Sequence, residues 1–400
     1  MTTEFRFPVP GSRFPVLIVV MCGMAIAPRA RAQTVADVLT FLVTNQSVST
    51  GAPERDRTAA QATSLTISRA LAANLATLPV ATSSSGFVYR LNPELGTVER
   101  ATQSFGPFFV ERAQTAGRHQ ASFGLSIQQM RFTSLDGRDL RDGSLVTTAN
   151  QFVDEAAPYD VDQLTLDIDA RIATLYGNVG VTDRLEFGFA VPMVDLTLDG
   201  SRVNTYRGRT FTQATASARA VGLADIVART KYTFYNAPDA GVAGAVDLRL
   251  PTGRADDLLG TGSLSARFSA IGSKELGQLS MHVNGGMTVG GLAREVSYGG
   301  ALVYAASGRV TMSGEMIGRS IEGAGHIIPV STNHPTLAGV ETIRLVPDGS
   351  SLNLVTVVPG VKWNLTDTWV VAANVSVPIT SGGLTARFTP YIGVDYAIGR

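Results

Sequence analysis

Charged side chains alternate with apolar ones along much of this sequence, and that spacing limits the chemistry they can do. In the run 185–193, Glu186 stands between Leu185 and Phe187, so a strand would place its carboxylate on the opposite face from those apolar side chains. Charged groups gathered on one enclosed face can bind a solute or can pair across strands. If the apolar faces point to lipid, the residues expected to point into a lumen are Asp167, Asp169, Arg171, Glu186, Asp225, Arg229, Lys231, Asp247, Arg249, Arg267, His282, Glu315, Arg319, Lys362, Arg387 and Asp395.

The signs of these charges are mixed and nearly balanced. A ring of one sign would predict an ion-selective pore. A mixed set is more typical of cross-strand ion pairs that fill and rigidify a lumen, and ligand binding by the same groups is the alternative.

The other polar residues do not indicate a catalytic or metal site. The chain has 4 histidines; only His282 falls in mid-strand on the inward face, and no nucleophile stands at a spacing that would pair with it. His326 and His334 share one long link but lack a metal-ligand spacing. Asp256 and Asp257 lack the acidic repeat of a calcium loop. We therefore expect no enzyme activity, no metal and no cofactor.

The elements that carry these side chains are strands with two unlike faces, predicted from a period of two that begins near Gly117. About twelve such segments are near or above the ~9–11 residues with which a strand crosses a bilayer. They fall at 118–132, 162–179, 184–197, 221–235, 241–251, 263–274, 278–290, 296–306, 309–320, 351–364, 368–379 and 384–398. Short links alternate with longer ones, of which the longest are 134–160, 199–220 and 321–349. This alternation is typical of an antiparallel up-and-down β-barrel with short turns in the periplasm and long loops outside.

Aromatic residues support the same orientation, since many lie near the short links. A girdle at one membrane interface would contain Tyr176, Tyr232, Phe234, Tyr235, Trp363, Trp369 and Tyr396. A soluble β-sandwich would show the same alternation. The long strands, their even number and the charged face favour an all-β transmembrane barrel over residues 117–400.

The first 32 residues have the features of a cleaved signal peptide, which predicts export to the bacterial outer membrane. Arg6 and Arg13 precede a short apolar run at 15–27, and Ala30-Arg31-Ala32 provides a cleavage site before Gln33. The chain's one cysteine, Cys22, would leave with this segment.

Residues 33–116 differ from the strand-rich part, because their apolar residues recur at helical spacing. One helix is predicted around 35–43 and a second at 56–78, followed by a hairpin that turns at Asn92-Pro93. This region is either a plug inside the barrel or a periplasmic unit. The stripe of Leu71, Leu75 and Leu78 favours the periplasmic position, since a charged lumen would offer it no apolar partner.

Several short motifs occur in a recognisable order: Val181-Thr-Asp-Arg-Leu185, Gly222-Leu-Ala-Asp-Ile226, Leu250-Pro-Thr-Gly-Arg254, Leu259-Gly-Thr-Gly262 and Val377-Pro-Ile379. With them the chain resembles the outer-membrane "transporter" family associated with the meta-cleavage pathway of phenol degradation, over roughly residues 160–400. The resemblance implies passage of small compounds of hydrophobic or aromatic character. It supplies no catalytic residues, because the prolines and glycines of these motifs suit strand ends and tight loops.

The leading hypothesis is a monomeric outer-membrane channel or transporter for small molecules, with outer-membrane lipid as its surroundings. The alternative is a structural or surface-interaction barrel with an occluded lumen. Nucleic acid is excluded as a partner, because 33 Lys+Arg balance 33 Asp+Glu and leave no basic field.

Overall fold

A computed structural model describes residues 33–43, 89–92, 97–100, 104–334, 336–366 and 368–398. The predicted signal peptide at 1–32 and the predicted helix at 56–78 lie outside these residues. In the part of the chain that is described, no helix is both long and apolar enough to cross a membrane.

Strands dominate the described residues. Helix α1 spans Val35–Val43, and a short 3₁₀ turn spans Ala255–Asp257. The strands are β1 (Tyr89–Asn92), β2 (Thr97–Arg100), β3 (Ala121–Leu135), β4 (Arg138–Asp139), β5 (Leu145–Phe152), β6 (Asp160–Gly180), β7 (Leu185–Tyr206), β8 (Arg209–Leu223), β9 (Ile226–Asn236), β10 (Ala240–Leu250), β11 (Ser265–Leu276), β12 (Leu279–Gly290), β13 (Glu295–Ala305), β14 (Val310–Ile321), β15 (Ile327–Asn333), β16 (Val340–Pro347), β17 (Leu352–Thr366), β18 (Trp369–Pro378), β19 (Leu384–Ala386) and β20 (Thr389–Ile398).

The main sheet closes into an antiparallel barrel of 12 strands. Its order is β3, β6, β7, β8 with β9, β10, β11, β12, β13, β14, β17, β18 and β20, and β20 pairs back onto β3. β8 and β9 count as one strand because both pair with β7, on either side of a break at Ala224-Asp225. The predicted all-β barrel of about twelve strands is confirmed. β1 and β2 pair with each other in a separate two-stranded sheet, in the stretch where a hairpin is predicted.

The two rims of the barrel differ in their connections. We call the rim with the links 181–184, 237–239, 277–278 and 306–309 the short-link rim, and the opposite one the long-link rim. The expectation of a loop at 199–220 is wrong, since β7 and β8 continue to a tight turn at Arg207-Gly208, both with positive φ. The link after β14 contains the hairpin β15–β16, whose second strand pairs with β5, which in turn pairs with β6. The long-link rim is therefore built largely from strands.

The outer face of the barrel is apolar in a broad band. Phe187, Val242, Phe268, Val283 and Ile392 are among the large apolar side chains exposed there. Of the aromatic residues expected in a girdle, Tyr232, Phe234, Tyr235, Trp363 and Trp369 are exposed toward the short-link rim. Tyr176 does not join them, contrary to expectation, because it points inward and is buried near the hydroxyl of Tyr391.

On the β3–β8 side, the polarity of the two faces reverses part-way up the strands. The outward row Ile127, Ala173, Met193 and Leu223 is apolar, whereas the next rung toward the long-link rim carries Arg171 and Asp195. Above that rung the inward residues are apolar instead, including Leu164, Leu166 and Ile168. Above this level the outer face is polar, and a packed apolar core replaces the polar lumen inside.

Helix α1 completes this core. Thr34 and Asp37 form a reciprocal capping box, with each backbone N–H donating to the other side chain at 3.1 Å. The buried stripe of α1 consists of Val35, Val38, Leu39, Leu42 and Val43, and it packs on the inner faces of β7 and β8. Gly200 allows this approach, since a Cβ there would lie 2.3 Å from Leu42 Cδ1. The helix predicted around 35–43 is confirmed, and it lies at the long-link rim.

Candidate functional site in the barrel lumen

A polypeptide segment at 104–116, which we call the plug, fills the lumen near the short-link rim. It precedes the first barrel strand directly, enters beside the links at 277–278 and 306–309, and returns to the link at 181–184. All of its residues are buried except Phe109, which is partly exposed. The plug has no helix or strand of its own, so its backbone groups need partners on the barrel wall.

Lys362 holds the plug where it enters. The buried ammonium group donates to the carbonyl oxygens of Gly106 and Pro107, at 2.5 and 2.7 Å. The same Nζ lies 4.5 Å from the centroid of the Phe108 ring, in a cation–π arrangement. A flexible lysine on a barrel strand thus satisfies two carbonyls that would otherwise be buried without partners.

Glu315 holds the middle of the plug. Its carboxylate accepts hydrogen bonds from three consecutive backbone N–H groups, those of Phe108, Phe109 and Val110. The last two reach the same oxygen, Oε2, at 2.8 and 2.9 Å. Three donors converging on one buried carboxylate form an anion-binding nest, in which the anion belongs to the wall and the nest to the plug.

The plug returns to the rim along β9 to β11. The N–H of Ala113 donates to Ser273 Oγ at 2.8 Å, and its carbonyl accepts from Thr233 Oγ1 at 2.7 Å. Ala116 N–H donates to Glu186 Oε2 at 2.6 Å. Ser273 also contacts His282, whose Nδ1 lies 2.8 Å from Ser273 Oγ. The plug backbone therefore covers this buried Ser–His pair.

A network of buried charges joins the plug to the wall. Arg229 contacts the plug's Glu111 on one side and Asp247 on the other, with Nη2 2.9 Å from Asp247 Oδ2. Arg267 also binds Asp247 at 2.9 Å. Lys231 lies 3.2 Å from Glu186 and 3.6 Å from Glu111. Removal of one member of this network would leave a buried charged partner uncompensated. The network therefore favours this one position of the plug in the lumen.

A cavity of about 170 Å³ lies between the plug and the long-link rim, on the β9–β14 side. Glu111 and Val110 of the plug form its floor, and Gly290, Gly291 and Leu292 of the long-link rim contribute at the other end. A second cavity of about 120 Å³, bordered by Met130 and Phe132, shares Phe109, Ile317 and Arg319 with the first. Phe109, the partly exposed plug residue, therefore borders both cavities.

The structure places most of the residues expected in the lumen on inner faces of the barrel. They are Glu186, Arg229, Lys231, Asp247, Arg249, Arg267, His282, Glu315, Arg319, Lys362 and Asp395. Glu186, Lys231, Glu315 and Lys362 contact the plug directly, as does Arg229. Within the described residues, no group of three or more His, Cys, Asp or Glu is arranged to hold a metal ion.

Four of the expected lumen residues are wrongly assigned. Asp167, Asp169 and Arg171 lie on the outer face of β6, where Asp167 pairs with Arg131 at 3.2 Å. They lie above the level at which the two faces exchange polarity, so the charged face points to water rather than into the lumen. Arg387 is exposed in the break between β19 and β20.

Asp225 is fully buried, but it serves the architecture of the long-link rim. Its carboxylate accepts from Gly253 N at 3.0 Å and from both N and Oγ1 of Thr261 at 2.8 Å. The three sequence motifs at 222–226, 250–254 and 259–262 thus meet at one carboxylate. Gly260 is required there, since a Cβ would lie 2.4 Å from Asp225 Oδ1 and 2.8 Å from Gly253 Cα.

The plug residues are those that the sequence analysis missed. Glu111 and Arg112 form a charged pair inside an otherwise apolar or neutral stretch, Phe105 to Gly117, just before the first strand. This isolated charged pair is the feature of the sequence that could have indicated a buried segment in the lumen. Glu295, which binds Arg319 at 2.5 Å on the cavity wall, was missed because it begins a strand.

No protein-family model and no curated protein matches this sequence. Among solved structures, the chain is similar to an outer membrane channel from Pseudomonas putida F1, with 13% identity and a TM-score of 0.47 over 72% of this chain and 98% of that one. It is also similar to the KdgM porin, at 9% identity and TM-score 0.35 over 70% and 99% of the two chains, and to the NanC porin, at 8% and 0.35 over 68% and 98%. At these identities and TM-scores, the likenesses carry no information about a solute.

Proposed function

We propose that this chain is an outer-membrane channel or transporter for small molecules, whose lumen is gated by the plug. The observation that carries the proposal is the way the plug is held. Hydrogen bonds and ion pairs from Glu315, Lys362 and Arg229 hold the plug beneath a cavity that contains both charged and apolar side chains. A permanently filled barrel would need only an apolar core. Polar contacts can be exchanged for water when the segment moves, which suits a gate.

The outer-membrane location rests on the outward-facing side chains and on the sequence. The exposed apolar band, with Trp363 and Trp369 toward the short-link rim, fits a bilayer with its aromatic interface. A cleaved signal peptide at 1–32 would export the chain. The resemblance to the family associated with phenol meta-cleavage favours solutes of hydrophobic or aromatic character, and a single chain would form the complete channel.

A reversible lock on the plug tests this function. An ideal Cβ on Gly241 lies 3.0 Å from Ala113 Cβ, close to the roughly 3.5–4.5 Å between the Cβ atoms of a disulfide. The variant with Ala113→Cys and Gly241→Cys can therefore fix the plug to β10 when oxidised. Cys22, the chain's one native cysteine, would be lost with the signal peptide and would not interfere.

In proteoliposomes we expect flux of small neutral solutes to fall on oxidation of the double variant and to recover on reduction. The single variant Ala113→Cys is the matched control and should not respond to the redox state. Equal flux in the locked and unlocked states would show that solutes do not pass the plug.

A structural barrel is the second candidate, because the plug and α1 together occupy much of the interior. It predicts no flux in either redox state, for the wild type or for the variant, although the protein still shows the heat-modifiable migration of a folded barrel.

A further inference from the structure

The cavity above the plug is unusually rich in guanidinium groups. Its charged lining consists of Arg229, Arg249, Arg267 and Arg319 against Glu111, Asp247 and Glu295. The charged residues of the lining therefore sum to one positive charge, in a partly enclosed place where charges are screened less than in bulk water. A ligand with one negative charge would balance it.

One of these acids is not part of the wall. Glu111 belongs to the plug, whereas Asp247 and Glu295 lie on barrel strands. Its carboxylate reaches into the cavity lining and contacts Arg229. The plug thus already presents a carboxylate to this pocket, which shows the kind of group that the guanidinium of Arg229 accepts.

The size and the uncharged lining of the cavity restrict the rest of the ligand. A cavity of about 150 Å³ is known to accept benzene, so about 170 Å³ is room for one ring. Ile271, Val110 and Ile317 provide apolar surface beside the guanidinium groups. Gly286, on the same inward row as His282 and Asn284, has no side chain to occupy the space. An apolar body with a single anionic group fits these walls.

We propose that the cavity binds a small monocarboxylate about the size of one ring, and that its carboxylate competes with Glu111 for Arg229 and so loosens the plug. The inference rests on the proposed channel function and specifies its solute class and its opening signal. No bond is made or broken; one carboxylate replaces another at the same guanidinium.

The test compares benzoate with benzamide, a neutral molecule of nearly the same shape. Binding to the purified protein in detergent is measured by calorimetry, and conductance is measured in planar bilayers. We expect benzoate to bind at least about tenfold more tightly than benzamide, the ratio that one charge-assisted hydrogen bond provides, and to raise the open fraction. Equal binding of the two molecules, or no binding of either at millimolar concentration, would overturn the proposal.

Two variants separate the parts of the argument. Arg249→Gln removes a guanidinium from the cavity and should weaken benzoate binding at least about tenfold while leaving benzamide unchanged. Glu111→Gln removes the internal competitor and should tighten benzoate binding and raise the open fraction without benzoate. Lys274→Gln is the matched control, because Lys274 is an exposed cation paired with Asp239 at the short-link rim.

If Glu111→Gln leaves benzoate affinity unchanged, the competition is refuted even where benzoate binds. Folding of each variant is checked by heat-modifiable migration, and the wild-type comparison of benzoate with benzamide does not depend on any variant. Flux of neutral solutes through the wild type is measured in parallel. Flux without benzoate preference would refute the carboxylate site and leave the channel function standing.

Discussion

Replacing Glu315 with glutamine should raise the fraction of barrels in which the plug is displaced. The carboxylate accepts the N–H groups of Phe108, Phe109 and Val110, using both of its oxygens. A glutamine has nearly the same shape but offers one acceptor oxygen. Its NH₂ group would face at least one of these N–H donors, and the negative charge would be gone.

The size of the effect follows from these contacts. A hydrogen bond to a charged group contributes about 1.5–3 kcal/mol, and a neutral one about 0.5–1.5 kcal/mol. Losing one bond and weakening the others should destabilise the closed state by about 2–4 kcal/mol. At about 1.4 kcal/mol per factor of ten, the ratio of open to closed channels should rise roughly 30- to 1,000-fold.

Single-channel recording measures this ratio directly, and heat-modifiable migration confirms that the barrel is folded. Glu341→Gln is the matched control, since that carboxylate accepts one hydroxyl, from Ser331, outside the lumen. If Glu315→Gln folds and its open fraction equals that of the wild type, the plug does not gate the lumen through these hydrogen bonds.

Two further predictions concern the long-link rim. Asp225→Asn should lower the free energy of unfolding in detergent by about 2–3 kcal/mol, because an amide can replace only part of the bonding to Gly253 and Thr261. The control is Asp199→Asn, at an exposed residue, which should stay within about 0.5 kcal/mol of the wild type in the same denaturant titration. Equal shifts for the two variants would refute the assigned role of Asp225. Leu42→Ala should weaken the docking of α1 by about 2–3 kcal/mol and speed hydrogen exchange of the α1 amides. Phe41→Ala, at a side chain that is 54% exposed on the same helix, should leave the exchange rates unchanged. Unchanged exchange in Leu42→Ala would show that the buried stripe does not hold the helix.

The barrel could be predicted because apolar and polar side chains alternate along each strand with a period of two, one kind on each face. Twelve segments show that period, and the motifs at 250–254 and 259–262 mark where strands leave the wall. The period alone does not reveal which face points to lipid. β6 illustrates this: Leu164 to Ile168 alternate with Asp167 and Asp169, but the apolar side chains face a core around α1 and the acids face water.

The plug could not be predicted from its own pattern, since it has no periodic structure. Several of its N–H groups are bound by side chains more than 150 residues away, such as Ser273 and Glu315. Glu315 and Lys362 are predicted to point inward, but their partners are main-chain N–H and C=O groups. Nearly every residue carries these groups, so the sequence does not show which of them a side chain will bind. Cross-strand ion pairs, the expected arrangement, occur at Arg229 with Asp247 and at Arg319 with Glu295.

In the proposed outer-membrane location, the exchange of polarity on β6 and β7 would determine how deep the protein sits in the bilayer. A shift of one rung that brought Arg171 and Asp195 to the edge of the hydrocarbon would cost up to about 1 kcal/mol for each charge, and deeper shifts would cost more. A shift of one rung in the opposite direction would expose Ile127, Ala173 and Met193 to water. This side of the wall would therefore fix the position of the barrel along the membrane normal. A change in membrane thickness would then be met by deformation of the surrounding lipid rather than by vertical sliding of the protein.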